Sequence, residues 1–328
     1  MSIGERYGET NTGRKRRRNE DAFVCEPPLF AVADGMGGAQ AGEIASSLAA
    51  AALSGALKEG DNITAPAAVM LVVQLIQEAN RRVHDRAIHD AAASGMGTTM
   101  TVALVGSDGD VAIGHVGDSR AYRLRDGVLV QLTDDHSLVA ELVRRGELTP
   151  AEAEIHPQRS VITRALGTDS EVEIDVFVAD GAPGDVFLLC SDGLSTMVDA
   201  DTIAVLVDRN RPDLRGAARA LIAAANDSGG EDNITAVLFE LTSDEQTAAP
   251  APYVSDDEDT LHPEDGVSLP ADAWYPEADT MVVSADDWQR AVAQEEQPLP
   301  LARLVASTAL IVALLALIAV LSIWGLTR

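Results

Sequence analysis

A chain of 328 residues is long enough for one large domain with appendages, or for two domains. Hydrophobic residues make up 46% of it, and only 4% is aromatic, so Ala, Val, Leu and Ile must form most of the core. The net charge of −28 argues against polyanion binding by the chain as a whole, and we expect no nucleic-acid partner.

Residues 1–242 have the pattern of one folded unit, with short β-rich runs separated by turn signals. Good hairpin markers are Ser107-Asp108-Gly109-Asp110 and Asp126-Gly127. Helical periodicity occurs over residues 39–57, 65–90, 137–146 and 212–226. The first two helices follow one another directly, and strands then come in hairpins. This order predicts an α+β fold with antiparallel sheets and covering helices, rather than a parallel βαβ fold.

The composition changes after Thr242. Residues 243–303 are rich in Asp and Glu, with scattered Pro and Ser. A segment of this composition has too little apolar surface to bury, so burial cannot offset the entropy lost when the chain becomes ordered. We therefore expect a disordered acidic linker. Residues 304–326 carry no charge, and a helix rising about 1.5 Å per residue is long enough there to cross a bilayer core of about 30 Å. The sequence thus predicts one C-terminal transmembrane helix, followed by a short tail at 327–328.

Two cysteines, Cys25 and Cys190, lie far apart in apolar surroundings, and their spacing indicates neither a disulfide framework nor a metal site. We interpret them as buried thiols of a reducing compartment. The N-terminus has no apolar stretch typical of a secretory signal peptide. With the predicted span, these features predict a single-pass protein of the cell membrane whose globular part is cytoplasmic.

The stretch from Ala31 to Gly38 places an aspartate at the end of a short apolar run. Asp34 ends the run, Gly35 follows, and a helix-like segment comes next. A strand would hold the carboxylate rigidly, and glycine lets a hydrated cation approach the backbone. The Gly35 carbonyl is a suitable oxygen ligand for a hard cation. An ordinary Asp-Gly turn between strand and helix is the alternative for this motif alone.

Further acidic motifs stand at the ends of apolar runs or in turns. They are Asn19-Glu20-Asp21, His115-Val116-Gly117-Asp118-Ser119-Arg120, Leu188-Leu189-Cys190-Ser191-Asp192-Gly193 and Gly230-Glu231-Asp232-Asn233-Ile234. Carboxylates in such positions are costly unless they are paired or bound to a cation. Their recurrence indicates a shared hard-metal site of carboxylates, one carbonyl and waters, and the lack of a Cys/His cluster disfavours zinc.

The ordered series of motifs resembles one family closely. It consists of Asn19-Glu20-Asp21, Asp34-Gly35-Met36-Gly37-Gly38, Gly97-Thr98-Thr99, Gly117-Asp118-Ser119-Arg120, Arg164-Ala165-Leu166-Gly167, Ser191-Asp192-Gly193 and Asp232-Asn233. Each motif alone is weak, but the series over about residues 5–241 is similar to the metal-dependent serine/threonine protein phosphatases of the protein phosphatase 2C type, in their bacterial membrane-anchored form. The resemblance implies a central sandwich of two antiparallel β-sheets with paired helices on each outer face.

The resemblance also implies a pair of Mn²⁺ or Mg²⁺ ions. Asp34 would bridge them, and the Gly35 carbonyl would bind one. Asp192 and Asp232 would complete the shell of the first ion. Two cations about 3.5–4 Å apart can lower the pKa of a shared water and position it for in-line attack on a phosphate ester.

Other roles carried over by the resemblance concern the second ion, the phosphate and a third ion. Glu20 and Asp21 would hold waters on the second ion, and Asp118 would bind a weaker third one. Arg16, five residues before Asp21, matches the arginine that grips the phosphate through parallel donors. No phosphoenzyme is required, so Cys190 is interpreted as a packed hydrophobe rather than a nucleophile.

Two positions depart from the family pattern. Met36 stands where some members carry a histidine that is a candidate general acid, and His136 and His156 are alternative donors or merely structural residues. Thr196 stands where many members place an acidic residue that helps to hold the third metal. The resemblance also implies that the charged run over residues 142–159 is a mobile flap near the active site, with an ordinary solvated helix-loop as the equal alternative.

The main functional hypothesis is hydrolysis of phosphoserine and phosphothreonine in proteins, opposing membrane-associated kinases that would also be substrates. A membrane-tethered scaffold with a spent active site is the competing hypothesis. The basic run at residues 14–18 is interpreted as a rim that attracts phosphorylated substrates or as solvated surface, and a nucleic-acid patch is disfavoured. Thr260 and Thr280 follow acidic residues, so they are candidate phosphorylation sites for an Arg-lined reader domain, with an unmodified tether as the alternative.

Overall fold

The structure, a computed structural model, describes residues 1–37, 41–243 and 281–282. It separates into the units Met1–Ser284 and Ala285–Arg328, and every described residue belongs to the first. Among the described residues, no helix is both long and apolar enough to cross a membrane. The predicted span at 304–326 and the linker threonines Thr260 and Thr280 lie outside the described residues.

Five strands form the first sheet, and every neighbouring pair in it is antiparallel. In spatial order they are β1 (Ser2–Asn11), β12 (Ile234–Thr242), β11 (Val186–Cys190), β7 (Arg120–Arg125) and β8 (Val128–Gln131). The hairpin between β7 and β8 turns at Asp126 and Gly127, whose φ angles are 50° and 75°. Positive φ at both positions is the requirement of a tight two-residue hairpin turn, so this predicted turn is confirmed.

The second sheet is antiparallel as well. Its strands in spatial order are β10 (Asp175–Ala179), β6 (Val111–Val116), β5 (Met100–Val105), β3 (Leu29–Met36) and β2 (Asp21–Glu26), with β4 (Gly97–Thr98) beside the end of β3. Every residue of β5 and β6 is buried. A strand has a continuous apolar sequence when both faces of its sheet are covered, and here the helices cover one face and the first sheet covers the other.

Helices cover the outer faces of the two sheets. The described helices are α1 (Ala41–Leu53), α2 (Ala65–His89), α3 (Leu138–Arg144), α4 (Pro150–Glu154), α5 (Asp192–Ser195), α6 (Ala200–Arg209) and α7 (Leu214–Asp227), with a 3-10 turn at Ala91–Ala93. The pair α1 and α2 shares a buried cluster with the second sheet, and the pair α6 and α7 shares one with the first. The α+β architecture with two antiparallel sheets and helices is thus confirmed.

A third apolar cluster lies between the sheets. At its centre the ring of Phe239 stacks on Phe30 at 4.1 Å and on Phe187 at 5.1 Å between centroids. Although the chain has few aromatic residues, three of its five phenylalanines meet here. Stacked aromatic pairs contribute about 0.5–1.5 kcal/mol beyond their buried area, so this triplet holds the two sheets together.

Several elements differ from the pattern-based expectation. Strand β1 has no apolar run because it is an edge strand that is half-buried along most of its length. Helix α6 was not predicted, although Asp199 caps its first turn by accepting from the Thr202 amide and Ile203 and Val207 form its buried side. Within the linker predicted to be disordered, Met281–Val282 forms a short strand, β13, parallel to β9 (Val161–Ile162).

Candidate metal centre

Strand register brings the first two carboxylates together. Asp21 at the start of β2 lies directly opposite Asp34 near the end of β3. The backbone of Asp34 is held by Thr99, whose hydroxyl accepts from the Asp34 amide at 2.9 Å and whose amide donates to the Asp34 carbonyl at 2.9 Å. The backbone that carries the Asp34 carboxyl is therefore held between strand β2 and Thr99 at one end of the second sheet.

Gly35 lies in a space that admits no side chain. A Cβ atom there would be 2.1 Å from the Gly42 carbonyl oxygen and 2.5 Å from the Glu20 carbonyl oxygen. A Cβ on Gly42 would in turn be 2.7 Å from Glu20 Oε2 and 2.8 Å from the Gly35 carbonyl oxygen. The Glu20 carboxylate and the Gly35 carbonyl therefore converge beside the first turn of α1, which is a donor set that suits a hard cation.

Asp192 and Asp232 come from the ends of two neighbouring strands in the first sheet. Asp192 opens helix α5 shortly after β11, and Asp232 precedes β12. The two loops touch, because a Cβ on Gly193 would be 2.1 Å from the carbonyl oxygen of Asn233. Antiparallel pairing of β11 with β12 thus places both aspartates at the same end of the sandwich as Asp34.

Asp118 lies in the connection from β6 to β7, which passes from one sheet to the other. Gly117 adopts a φ of 112°, and its amide donates to Nδ1 of the buried His136 at 3.1 Å. Ser119 hydrogen-bonds Thr99 at 2.8 Å between their hydroxyl oxygens. The turn that carries Asp118 is thereby tied to the strand end that carries Asp34.

Electrostatics show that these carboxyls share one environment. Burial first, and then the charges of Asp21, Asp192, Asp232 and Asp118, hold the pKa of Asp34 well above its usual range. Burial, with the Asp118 and Asp232 carboxylates next, does the same to the pKa of Asp192. Asp34 is in turn among the groups that influence the pKa of both Asp21 and Asp192. Like charges gathered this closely repel one another unless cations or protons compensate them.

Burial also raises the pKa values of Asp21 and Asp118. Burial raises the pKa of Asp21 to about 6, although hydrogen bonds from Thr235 and Ser191 oppose that rise. Those hydroxyls both donate to Asp21 Oδ2, at 2.6 and 2.7 Å. Burial, followed by the Asp135 carboxylate, raises the pKa of Asp118 to about 7.

The donor set fits divalent cations because two of its carboxylate oxygens lack a partner in the described part of the chain. The oxygens Asp21 Oδ1 and Asp192 Oδ1 are buried and have no hydrogen-bond partner among the described residues. Unpartnered buried oxygens are costly, and a cation removes that cost. Within residues 1–37, 41–243 and 281–282, however, no three His, Cys, Asp or Glu side chains are arranged closely enough to hold one ion. The carboxyl groups therefore lie near one another, but in the described ranges no three of them surround one metal position.

Arg16 lies at the rim of this cluster. Its Nη2 is 2.9 Å from Asp232 Oδ2, and both side chains are between a quarter and a third exposed. Burial lowers the pKa of Arg16, but the carboxylates of Asp232, Asp34 and Glu20 outweigh that effect, and the net pKa is raised. A permanently charged guanidinium therefore faces solvent beside the acidic cluster.

Met36 and Thr196, the two departures from the family pattern, have structural roles here. Met36 is buried and packs with Ile162 and Ala165, so its side chain is part of the core. The hydroxyl of Thr196 donates to the Asp192 carbonyl at 2.7 Å, in the last turn of α5. Neither side chain offers a proton donor or a carboxylate to the cluster.

The candidate proton donors and the cysteines also have defined places. His136 is buried, and burial, followed by the nearby His115, lowers its pKa to about 3, so this imidazole is neutral and structural. His156 Nδ1 accepts from the Gln158 amide at 3.2 Å within its own turn. Cys190 is fully buried and burial raises its pKa to about 12, whereas Cys25 is only half-buried. A thiol with that pKa is no nucleophile at neutral pH.

The segment over residues 142–159 is exposed. Helix α4 has no buried residue, its Thr149–Glu152 capping box is complete, and Ile155 is 81% exposed. Strand β9 follows this segment in the chain, and its Ile162 packs with Met36, the residue after Gly35. Both sequence interpretations, a substrate flap and a solvated helix-loop, agree with this placement.

Three residues of the centre received no role from the sequence, although Ser191 and Asn233 stand within the quoted motifs. Ser191 and Thr235 donate to Asp21, and the amide side chain of Asn233 bonds three backbone groups of the loop before Asp21. Asn233 follows Asp232 directly, which is a usable signal. Thr235 lies inside an ordinary strand pattern, and no sequence feature marks it.

Comparison with known proteins agrees with the geometry. The family model described as "Protein phosphatase 2C" matches residues 12–238. The chain is 43% identical over 237 residues to a Listeria monocytogenes protein called serine/threonine phosphatase stp, covering 70% of this chain and 93% of that one. A crystal structure of the Mycobacterium tuberculosis serine/threonine phosphatase PstP/Ppp has a TM-score of 0.68 at 37% identity, covering 74% of this chain and 100% of that one. A PstP catalytic domain in complex with two manganese ions has a TM-score of 0.65 at 34% identity, with coverage of 74% and 100%. The chain belongs to the protein phosphatase 2C family.

Proposed function

We propose that this chain is a metal-dependent protein serine/threonine phosphatase that hydrolyses phosphoserine and phosphothreonine. The observation that carries this function is the set of carboxyls around Asp34, drawn from both sheets, with the Arg16 guanidinium at its rim. Family membership and the two-manganese neighbour support the same activity.

The cluster divides into two groups of ligands. Asp34, the Gly35 carbonyl, Asp192 and Asp232 would hold one Mn²⁺ or Mg²⁺. Asp34 would be shared with a second ion that Glu20 and Asp21 hold through waters. When bound, the ions supply a nucleophilic water at neutral pH and neutralise charge on the phosphoryl oxygens. Asp118 would hold a weaker third ion, for which Thr196 offers no carboxylate.

The protein's own groups orient the substrate. Arg16 presents parallel N–H donors that can bind two phosphoryl oxygens, and Asp232 keeps the guanidinium in place from one side. Ser191 and Thr235 fix the Asp21 carboxyl through one oxygen, and its other oxygen is buried without a hydrogen-bond partner among the described residues. No cysteine or serine is needed as a nucleophile.

The activity is tested on the full chain with a phosphothreonine peptide and MnCl₂. We expect turnover that EDTA abolishes, and about a thousandfold loss in Asp192→Asn because one charge of the ligand set is removed. Asp201→Asn, an exposed aspartate in the first turn of α6, is the matched control and should retain full activity. Turnover that persists in EDTA would contradict the proposal, and so would its absence with every divalent ion.

Membrane attachment is a further part of the proposal, and it rests on the uncharged sequence of residues 304–326. The catalytic part would then lie at the cytoplasmic face and act on membrane-associated kinases and their substrates. Fractionation of cells that express the full chain, beside a chain ending at residue 303, tests this. We expect only the full chain in the membrane fraction, and equal distribution of the two would contradict attachment.

We also propose that the acidic linker binds a partner domain when it is phosphorylated. Thr260 and Thr280 each follow acidic residues, and phosphorylation there would create a ligand for an Arg-lined phosphothreonine reader domain. Mass spectrometry of the cellular protein tests both positions. Finding neither site occupied would refute this part of the proposal.

A further inference from the structure

The loop between β1 and β2 carries most of the positive charge near the candidate metal centre. Residues 14–18, here called the basic loop, are Arg14, Lys15, Arg16, Arg17 and Arg18. The whole chain has 24 Lys and Arg against 52 Asp and Glu, so five consecutive basic residues stand out in a strongly acidic protein. The loop joins the first sheet to the second at the end where the carboxyls meet.

The basic loop is held in place by the residues that form the metal centre's edge. The Asn233 side chain donates to the carbonyls of Thr12 at 2.9 Å and Arg18 at 2.8 Å, and accepts from the Glu20 amide at 2.8 Å. The amides of Arg14 and Lys15 both donate to the Gly230 carbonyl, at 2.8 and 3.1 Å. A loop with so many backbone anchors presents its side chains from a fixed frame.

The side chains of the basic loop have different surroundings. Arg16 is half-buried and pairs with Asp232 in the centre, whereas Arg14 pairs with the exposed Asp227 at 2.9 Å. Lys15 and Arg17 are exposed, and in the described part of the chain no carboxylate forms an ion pair with either. These two cations therefore adjoin Arg16 in the chain and remain available to a ligand.

We propose that the basic loop selects phosphoproteins that carry Asp or Glu beside the phosphorylated residue. This inference rests on the proposed phosphatase function and names the substrate class of that site. An extended peptide advances about 3.5 Å per residue, so an acidic side chain one to three positions from the phosphorylated residue lies within about 4–11 Å of it. Lys15 and Arg17 adjoin Arg16 in the chain, and consecutive Cα atoms are about 3.8 Å apart, so both long side chains can come within that range of a phosphate bound at Arg16.

Surface ion pairs of this kind change affinity only modestly. Each exposed pair is worth a small factor in binding, and two pairs together give about three- to tenfold. The interaction is also screened by salt, because the Debye length falls from about 10 Å at 0.1 M to 3 Å at 1 M ionic strength. The expected signature is therefore a moderate, salt-sensitive preference for acidic flanking residues.

The chain's own linker supplies a natural probe. In the sequence from Ser255 to Gly266, four acidic residues precede Thr260 directly, and Glu264 and Asp265 follow it. A peptide of this sequence phosphorylated at Thr260 has the chemistry that the basic loop would recognise. Its matched partner has the same sequence with every Asp and Glu replaced by Asn and Gln.

The test compares kcat/KM for these two phosphopeptides using the full chain with MnCl₂. We expect the acidic peptide to be preferred by about three- to tenfold, and the preference to shrink as KCl is raised from about 50 to 500 mM. In the double variant Lys15→Gln/Arg17→Gln, the preference should fall to less than about twofold, mainly through KM. Hydrolysis of p-nitrophenyl phosphate, which has no flanking residues, normalises each variant for the state of its catalytic centre.

Lys58→Gln is the control for charge alone. Lys58 is exposed and lies beyond the C-terminal end of α1, whose N-terminal end contacts Glu20. Retained preference in this variant would support the inference. Equal kcat/KM for the two peptides in the wild-type chain would overturn it, as would a preference that survives in the double variant or is lost in Lys58→Gln. Failure to hydrolyse either peptide would instead refute the proposed function.

Discussion

Asp21 and Asp34 are direct cross-strand partners in the antiparallel pair β2–β3, and after burial the charge of Asp21 is the largest influence that raises the pKa of Asp34. Two acidic groups opposite one another normally destabilise a sheet. Here Ser191 and Thr235 hold one oxygen of Asp21, and the other oxygen is unpartnered among the described residues. This pairing therefore lowers the stability of the metal-free fold. Bound cations would compensate the repulsion between the two carboxyls.

Replacing Asp34 by Asn should separate function from stability. We expect turnover of a phosphothreonine peptide to fall by about a thousandfold or more, because the shared ligand is lost. In EDTA, however, the variant should unfold at a temperature a few degrees above that of the wild-type chain, since on the order of 1 kcal/mol of repulsion among buried carboxylates is relieved. Thermal unfolding at pH 7.5 measures this, with Asp201→Asn as control. A variant that is less stable than wild type in EDTA would contradict the proposed repulsion.

Arg16→Lys keeps the charge but loses the planar pair of donors. Because bidentate recognition of phosphate depends on that geometry, we expect kcat/KM for the phosphothreonine peptide to fall by about 10- to 100-fold. The inhibition constant of inorganic phosphate should rise in parallel. Steady-state kinetics with phosphate as a competitor decides the point, and an unchanged inhibition constant would remove Arg16 from the phosphate site.

Asn233→Ala should release the basic loop. Three hydrogen bonds to backbone groups are lost, and the free energy of unfolding should fall by about 2–4 kcal/mol because partly buried groups lose their partners. Trypsin should then cleave at the Arg and Lys residues of the loop faster than in the wild-type chain. Asn210→Ala is the control, since its side chain donates to the Leu206 carbonyl at the end of α6 and forms no hydrogen bond with the basic loop among the described residues. Equal cleavage rates in the loop for Asn233→Ala and wild type would contradict the anchoring role.

The buried His136 should make stability depend on pH. Burial first, then the nearby His115 and Arg164, lowers its folded-state pKa to about 3, whereas the unfolded value is about 6.5. The unfolded chain therefore binds more protons below pH 6.5, and this contribution to stability is complete above that pH and is lost as the pH falls. By pH 5 the loss is on the order of 2 kcal/mol.

The matched variant for this effect is His136→Asn, whose side-chain oxygen can still accept from the Gly117 amide. We expect the wild-type chain to be more stable than the variant at pH 7.5, and the difference to narrow towards pH 5. Denaturant unfolding of both proteins at several pH values in EDTA measures it. A difference in the free energy of unfolding that stays constant from pH 7.5 to pH 5 would show that His136 does not titrate as proposed.

Local signals in the sequence were sufficient for much of the fold. The Asp126-Gly127 turn, the two long helices after Asp34 and the fully apolar strands β5 and β6 follow from backbone preferences and from burial on both faces. Strand β1 was not predicted, because an edge strand that is half-buried needs no apolar run. The ordered series of acidic motifs carried the resemblance to the family, and membership of that family is confirmed.

Tertiary structure decided how those acidic residues meet. Neither the opposition of Asp21 to Asp34 nor the contact of the Asp192 loop with Asn233 is visible in the sequence, because strand register and sheet order join residues that are far apart along the chain. The same applies to Ser191 and Thr235, which reach Asp21 over separations of 170 and 214 residues. The sequence by itself determined which chemical groups are present, and packing of the two sheets determined that they share one buried, like-charged site.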